Sequence, residues 1–160
     1  LPVPPGFHDD ELMLLVEGAV LPLIDAFDPD ALVLQCGCDG LADDPMSRLA
    51  LSNRGIWAAV SFLKGMAPRL LVLGGGGYNP WAVPRCWGGI WGLLNGFDIP
   101  GRLPDPARAV LEDIRWNRSQ GRNPPRRWIE EMADSWLGGP IRPEIRAMVP
   151  AVLAGIEELA

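Results

Sequence analysis

The chain has 160 residues, a length at which one ordinary domain, or one piece of a larger one, is expected. Its 48% hydrophobic content and 7 Trp supply a core and exclude the charge-rich disordered class, while 19 Gly and 17 Pro point to many connecting loops. A formal net charge of −6 argues against a general nucleic-acid-binding surface, which needs clustered Lys and Arg to displace counterions from phosphates.

The elements follow in chain order. After the Pro-rich entry Pro2 to Gly6, Asp9, Asp10 and Glu11 place negative charge where a helix N-terminus favours it, and the apolar stretch Leu12 to Ile24 predicts a mostly buried helix kinked at Pro22. Asp28-Pro29-Asp30 turns into the short apolar run Ala31 to Cys36, read as a strand buried on both faces. Cys38 to Met46 is a polar loop. Ser52 is a candidate N-cap for a helix whose Ile56, Ala59, Val60 and Leu63 share one face. Leu70 to Leu73 is a second buried strand, followed by Gly74 to Gly77, Tyr78, and a helical pattern of Trp87, Ile90, Trp91 and Leu94. Strand, helix, strand, helix with short connections is the signature of a parallel sheet flanked by helices, so an α/β fold is expected over residues 1–95. From Gly96 the texture becomes Pro- and Arg-rich around two further helical patterns, Val110 to Ile114 and Ile145 to Ile156, giving a helical extension over 96–160. The arginines from Arg102 to Arg127 read as a solvated face.

Two parallel strands leave edges unpaired, and so apolar a pair needs cover on both faces. The chain also begins with Leu1 rather than Met. It is therefore expected to complete a larger sheet whose other strands lie outside it. Cys36, Cys38 and Cys86 form no C-x-x-C pair, so buried thiols in a reducing cytoplasm are expected rather than disulfides or a cysteine zinc site. No apolar run reaches the ~18–20 residues that span a bilayer, and the opening LPVPPGFHDDE lacks the regions of a signal peptide, so no membrane partner is expected.

Open parallel sheets build sites at the carboxyl ends of their strands, here Gly-Cys-Asp-Gly and Gly-Gly-Gly-Gly-Tyr. Asp39 is either a ligand-facing carboxylate or an Asx-turn residue. The four glycines admit a close backbone approach to a ligand or a tight turn, and without a following Gly-Lys-Ser/Thr they make a weak phosphate cradle. Tyr78 is either a phenol donor to developing negative charge or a buried structural tyrosine. His8, the sole histidine, has no imidazole partner and reads as a surface or helix-entry residue.

Taken together, LVLQCGCDGLADDPMSRLALS and the later LLVLGGGGYNPWAVPRCW resemble the C-terminal half of the histone deacetylase family. LPVPPGFHDDE, LPDPARAV and RNPPRRW are similar to its bacterial acetoin-utilisation (AcuC-like) branch. The resemblance implies a three-layer α/β/α arginase/deacetylase-like fold with a parallel sheet. It also implies metal-dependent hydrolysis of acetyl-lysine amides, with zinc, or iron in its place, as cofactor. On that footing Asp39 is a metal ligand, Tyr78 stabilises the oxyanion, and Met46 and Gly76 line the acyl-lysine channel. The remaining ligands and the proton-handling histidines then belong to an N-terminal portion of the same fold, the expected partner alongside the acetylated protein or peptide substrate. Without it the chain is expected to be inactive. Pro84 departs from the small residue usual before the Arg-Cys-Trp run and is expected to shift the helix start. The rival readings are a non-catalytic, partner-binding subunit and a phosphate-binding α/β module.

Overall fold

A computed structural model describes residues 1–157. Strands β1 (Leu32–Gln35) and β2 (Leu70–Leu73) pair in parallel, Leu32 opposite Leu70 and Gln35 opposite Leu73. The connection between them is α3 (Asn53–Leu63), and β2 leads through the glycines into α4 (Ala82–Leu94). This is the expected α/β arrangement. Ser52 caps α3 by accepting the Gly55 N–H at 3.1 Å on its hydroxyl, as its position before the apolar pattern requires. Pro84 falls in the first turn of α4, where its missing N–H has no intrahelical partner to disappoint, so the helix starts upstream of it.

The α3 and α4 faces close on the strand ends through Cys36, Cys38, Leu41, Trp57, Val60, Cys86 and Ile90. Trp57 lies flat against Gly89, where a Cβ would meet its ring at 2.1 Å, and its indole N–H donates to the Cys86 carbonyl at 2.8 Å. All three cysteines are buried free thiols, as expected.

The strands are not buried on both faces. Exposure alternates along each, with Leu34 and Val72 turned to the core and Val33, Leu71 and Leu73 exposed. The period of two governs because α3 and α4 pack on one side and no described element packs on the other.

Three helical pieces replace the single kinked helix near the start: α1 (Asp9–Leu15), a π-helical turn Val16–Val20, and α2 (Leu21–Phe27) with Pro22 in its first turn. Pro22 has no N–H to return to the preceding turn, and the wider winding immediately upstream absorbs that loss. Burial is also less than expected. Leu15, Val16 and Ala19 are buried, but α2 contributes no buried residue, and Leu23 and Phe27 face out.

The acidic residues that open α1 do more than complement its first turn. They fasten the far end of the chain, which contributes α5 (Asp105–Glu112), α6 (Arg126–Glu130) and α7 (Pro143–Glu157). Buried Asp9 accepts the Ser52 hydroxyl at 2.6 Å and N–H at 2.9 Å and the Leu137 N–H at 2.7 Å, while Asp10 takes the Trp136 indole at 2.7 Å and the Gly139 N–H at 2.9 Å. Glu11, fully buried, accepts Arg142 at Nε (2.8 Å), Nη2 (2.6 Å) and the backbone N–H (3.0 Å). Burial pushes the Asp9 carboxyl up, whereas the Trp136 hydrogen bond holds Asp10 down.

The Arg142 hydrogen bonds hold Glu11 at about 2, against an ordinary 4.5. A carboxylate depressed in the folded state contributes stability that is complete above about 4.5 and is lost as pH falls toward about 2. Glu11→Gln is accordingly expected to cost about 3 kcal/mol near neutral pH, the low end for breaking a buried pair because Arg142 keeps some water contact. Urea unfolding from pH 7 down to pH 3 checks this: the deficit should hold above about 4.5 and shrink below it, and a deficit independent of pH throughout would rule out the ionic account.

Candidate functional site

Past the last paired residues the two strand ends stay in contact. The Cys36 N–H donates to the Leu73 carbonyl at 2.8 Å and the Cys38 N–H to the Gly76 carbonyl at 2.6 Å. So tight an approach requires glycine. A Cβ on Gly75 would lie 2.8 Å from the Gly37 Cα, and one on Gly76 would lie 2.0 Å from Asp39 Oδ2. The glycines therefore let one strand end press against the other and seat the Asp39 carboxylate on the second. Asp39 accepts no hydrogen bond from a described residue, and its carboxylate faces a cavity of about 500 Å³ lined by Gln35, Gly37, Asp39, Gly40, Met46, Ser47, Leu49 and Gly76. Asp39, Met46 and Gly76, three of the four residues singled out from the sequence, thus meet in one place.

Tyr78 stands elsewhere. It is half exposed and borders a neighbouring cavity of about 350 Å³ with Gly77, Pro80, Val83, Pro84, Arg115 and Trp116. A buried structural role is therefore not its own. Its hydroxyl has no hydrogen-bond partner among the described residues, so it is available to a ligand.

What links the two cavities is Asp44, buried, whose carboxylate accepts the Met46 N–H at 2.9 Å and the Tyr78 N–H at 2.6 Å. The bond to Met46, two residues on, is an Asx turn, so the turn that the sequence left open at Asp39 is made by Asp44 ahead of Pro45. Asp43 is clamped from outside. It receives Arg127 Nη2 at 2.6 and 2.7 Å on its two oxygens and the Trp128 indole at 2.6 Å. Its carbonyl takes the side-chain amide of buried Asn79 at 2.9 Å, whose oxygen in turn accepts the Trp81 and Ala82 N–H groups at the start of α4. Arg127 is thus more than part of a solvated face. Below it Trp81, Leu111, Trp128 and Ile129 form a small separate core that anchors the clamp.

Sequence reasoning missed Asp44, Asn79 and Arg127 as positioning groups. Asp44-Pro45 was the available sign for the first, while the other two act across long separations that spacing does not encode. Asp44→Ala leaves two part-buried N–H groups without an acceptor and is expected to cost about 1.5–3 kcal/mol, the value of a hydrogen bond to a charged group. Denaturant unfolding measures it, and a loss below about 0.5 kcal/mol, typical of neutral surface changes, would show that the loop is held by other contacts.

The neighbouring Cys38 thiol and burial together push the Cys86 thiol up. Cys86 is therefore a packing group rather than a nucleophile. His8 sits at the helix entry, its Nε2 3.3 Å from the Pro140 carbonyl oxygen. Among the described residues no three His, Cys, Asp or Glu side chains come together to hold a metal ion. A catalytic zinc takes three protein ligands. The described residues do not make such a site by themselves, and Asp39 fits only as one member of a set. No described helix is long and apolar enough to cross a membrane.

A parallel α/β sheet with a carboxylate set on glycines at its strand ends defines the class. The histone deacetylase domain profile matches residues 1–94, and the chain belongs to that family. It is 38% identical over 105 residues to a putative histone deacetylase 2 of Caenorhabditis elegans, covering 63% of this chain and 21% of that protein. It is 32% identical over 105 residues to histone deacetylase 8 of Xenopus laevis, covering 66% of this chain and 32% of that protein. A crystal structure of a histone deacetylase homologue from Aquifex aeolicus superposes with a TM-score of 0.84 at 30% identity, over 94% of this chain and 41% of that one. The chain thus spans about a fifth to a third of these curated relatives. The arginase/deacetylase-like fold expected from the sequence is the one observed.

Proposed function

We propose that this chain is the C-terminal portion of a zinc-dependent deacetylase of the AcuC-like branch that hydrolyses acetyl-lysine amides. The observation that carries the reading is the convergence of Asp39, Met46 and Gly76 on one cavity at the strand ends. Asp39 supplies one carboxylate ligand, and the N-terminal portion of the fold supplies the others along with the proton-handling histidines. Zinc, or iron in its place, contributes Lewis acidity and a water activated near neutral pH. This chain's own residues hold the substrate: Met46 and Gly76 wall the acyl-lysine path, and the Tyr78 hydroxyl donates to the oxygen on which negative charge develops. Asp44 positions both sides by fixing the Met46 and Tyr78 backbones. The exposed Val33, Leu71 and Leu73 supply the apolar sheet face that the missing portion would cover. Buried free thiols accord with a cytoplasmic protein.

Phosphate binding at Gly74–Gly77 fits less well, because the Asp39 and Asp44 carboxylates flank that loop and repel an anion. The test is co-expression with the matching N-terminal portion, followed by assay on an acetyl-lysine peptide. Metal-dependent deacetylation is expected. Association without activity would sink the enzyme reading in favour of a non-catalytic subunit.

A further inference from the structure

The segment after α5 returns to the site carrying positive charge. Arg115 and Trp116 border the cavity that holds Tyr78. Arg118 places Nη2 4.0 Å from the sulfur of Met46, on the wall of the Asp39 cavity, and its guanidinium stacks over the Trp116 ring at 5.9 Å. Trp116 is itself fixed edge-on to buried Trp81, with ring centres 5.9 Å apart at 70°. The Arg118 guanidinium is thus tethered to the core through an aromatic pair.

Neither Arg115 nor Arg118 forms an ion pair among the described residues, a state they share with Arg48, Arg54, Arg69, Arg122 and Arg146 but combine with a place beside the candidate cavities. Arg115 donates only to the carbonyls of Glu112 and Ile114, which leaves its charge uncompensated. In a chain of net charge −6, two guanidiniums without an ion pair thus stand at the outer edge of cavities that also hold the Asp39 and Asp44 carboxylates.

We propose that Arg115, held by the Glu112 and Ile114 carbonyls, and Arg118, stacked on Trp116, form a cationic rim that selects acyl-lysine peptides with acidic residues beside the acylated lysine and disfavours polybasic ones. This rests on the deacetylase reading for the acyl-lysine itself, while the charge preference stands on the rim. Exposed ion pairs each discriminate by a factor of a few, so two give a preference of about tenfold. The overall acidity of the chain favours a peptide over a nucleic acid as the anionic partner.

The experiment measures binding of fluorescent acetyl-lysine peptides of equal length, flanked either by Asp and Glu or by Lys and Arg, to the full-length zinc-loaded protein. Fluorescence anisotropy at low and high salt is the readout. The acidic peptide is expected to bind about tenfold tighter at low salt, with the gap closing at high salt. The paired substitution Arg115→Glu with Arg118→Glu should reverse the preference, and Arg115→Lys with Arg118→Lys should retain it. Equal binding, absent binding, tighter binding of the basic peptide, or an unchanged preference in the glutamate variant overturns the rim. So does a single-stranded oligonucleotide that binds as tightly as the acidic peptide, which would mark an unselective anion surface. Turnover of the same peptides separates the two claims: binding preference without hydrolysis breaks the deacetylase reading and supports the rim, and hydrolysis without preference breaks the rim alone.

Discussion

Asp39→Ala, introduced into the protein carrying both portions of the domain, is expected to abolish stoichiometric metal binding and with it all measurable deacetylation. The reason lies in how little the site can spare. A catalytic zinc rests on three protein ligands, and removing one leaves two, too few to hold the ion against water and buffer. Within this chain no described neighbour can substitute. Asp44 is buried and spends its oxygens on the Met46 and Tyr78 N–H groups, and Asp43 is occupied by Arg127 and Trp128. Elemental analysis of the purified variant is the direct measurement. Retained stoichiometric zinc would remove Asp39 from the ligand set. Gly76→Ala offers a second route to the same point, since its Cβ would lie 2.0 Å from Asp39 Oδ2 and must drive the carboxylate off its seat. Weakened metal binding in that variant, with Asp39 itself intact, would tie the ion to carboxylate placement rather than to charge alone.

Tyr78→Phe should behave differently. The substitution removes one hydroxyl from a half-exposed side chain that makes no hydrogen bond through it, so folding and metal content are expected to stay unchanged. Turnover is expected to fall by ~10²–10³, about 2.7–4 kcal/mol, the loss found when one donor to a developing oxyanion is deleted. The loss should appear in kcat rather than in KM, because in the proposed role the hydroxyl would contribute where charge develops and little before. Parallel measurement of zinc stoichiometry and steady-state kinetics separates this outcome from that of Asp39→Ala. Unchanged kcat would take Tyr78 out of the mechanism and leave it a wall of the second cavity.

Most of the architecture was legible because it is local. Apolar runs bounded by Gly and Pro place β1 and β2, Ser52 marks the start of α3, and apolar spacing assigns α3 its face, whereas on α4 the expected Trp91 and Leu94 are exposed and the buried face runs through Cys86, Gly89 and Ile90, where small residues admit Trp57. Asp39 was legible for the same reason, as part of a short segment at a strand end, whereas Met46 and Gly76 were singled out only through the family resemblance. Where the reading went astray, a long-range contact or its absence was responsible. The face carrying Val33, Leu71 and Leu73 is apolar enough to be buried but has no described element over it. The Asp9, Asp10 and Glu11 run reads as first-turn charge yet is spent on partners more than a hundred residues away, at Trp136 to Arg142.

The sequence by itself determined the α/β order, the parallel pairing and the identity of the carboxylate at the strand end, since periodicity and turn chemistry act between neighbours in the chain. Only the tertiary structure decided that Asp44 makes the Asx turn and ties Met46 to Tyr78, that Tyr78 borders its own cavity, and that Arg118 comes to rest on Met46. Each of those depends on which distant backbone groups and charges folding brings within about 3–4 Å, a distance at which hydrogen bonds and ion pairs act and which sequence spacing does not specify.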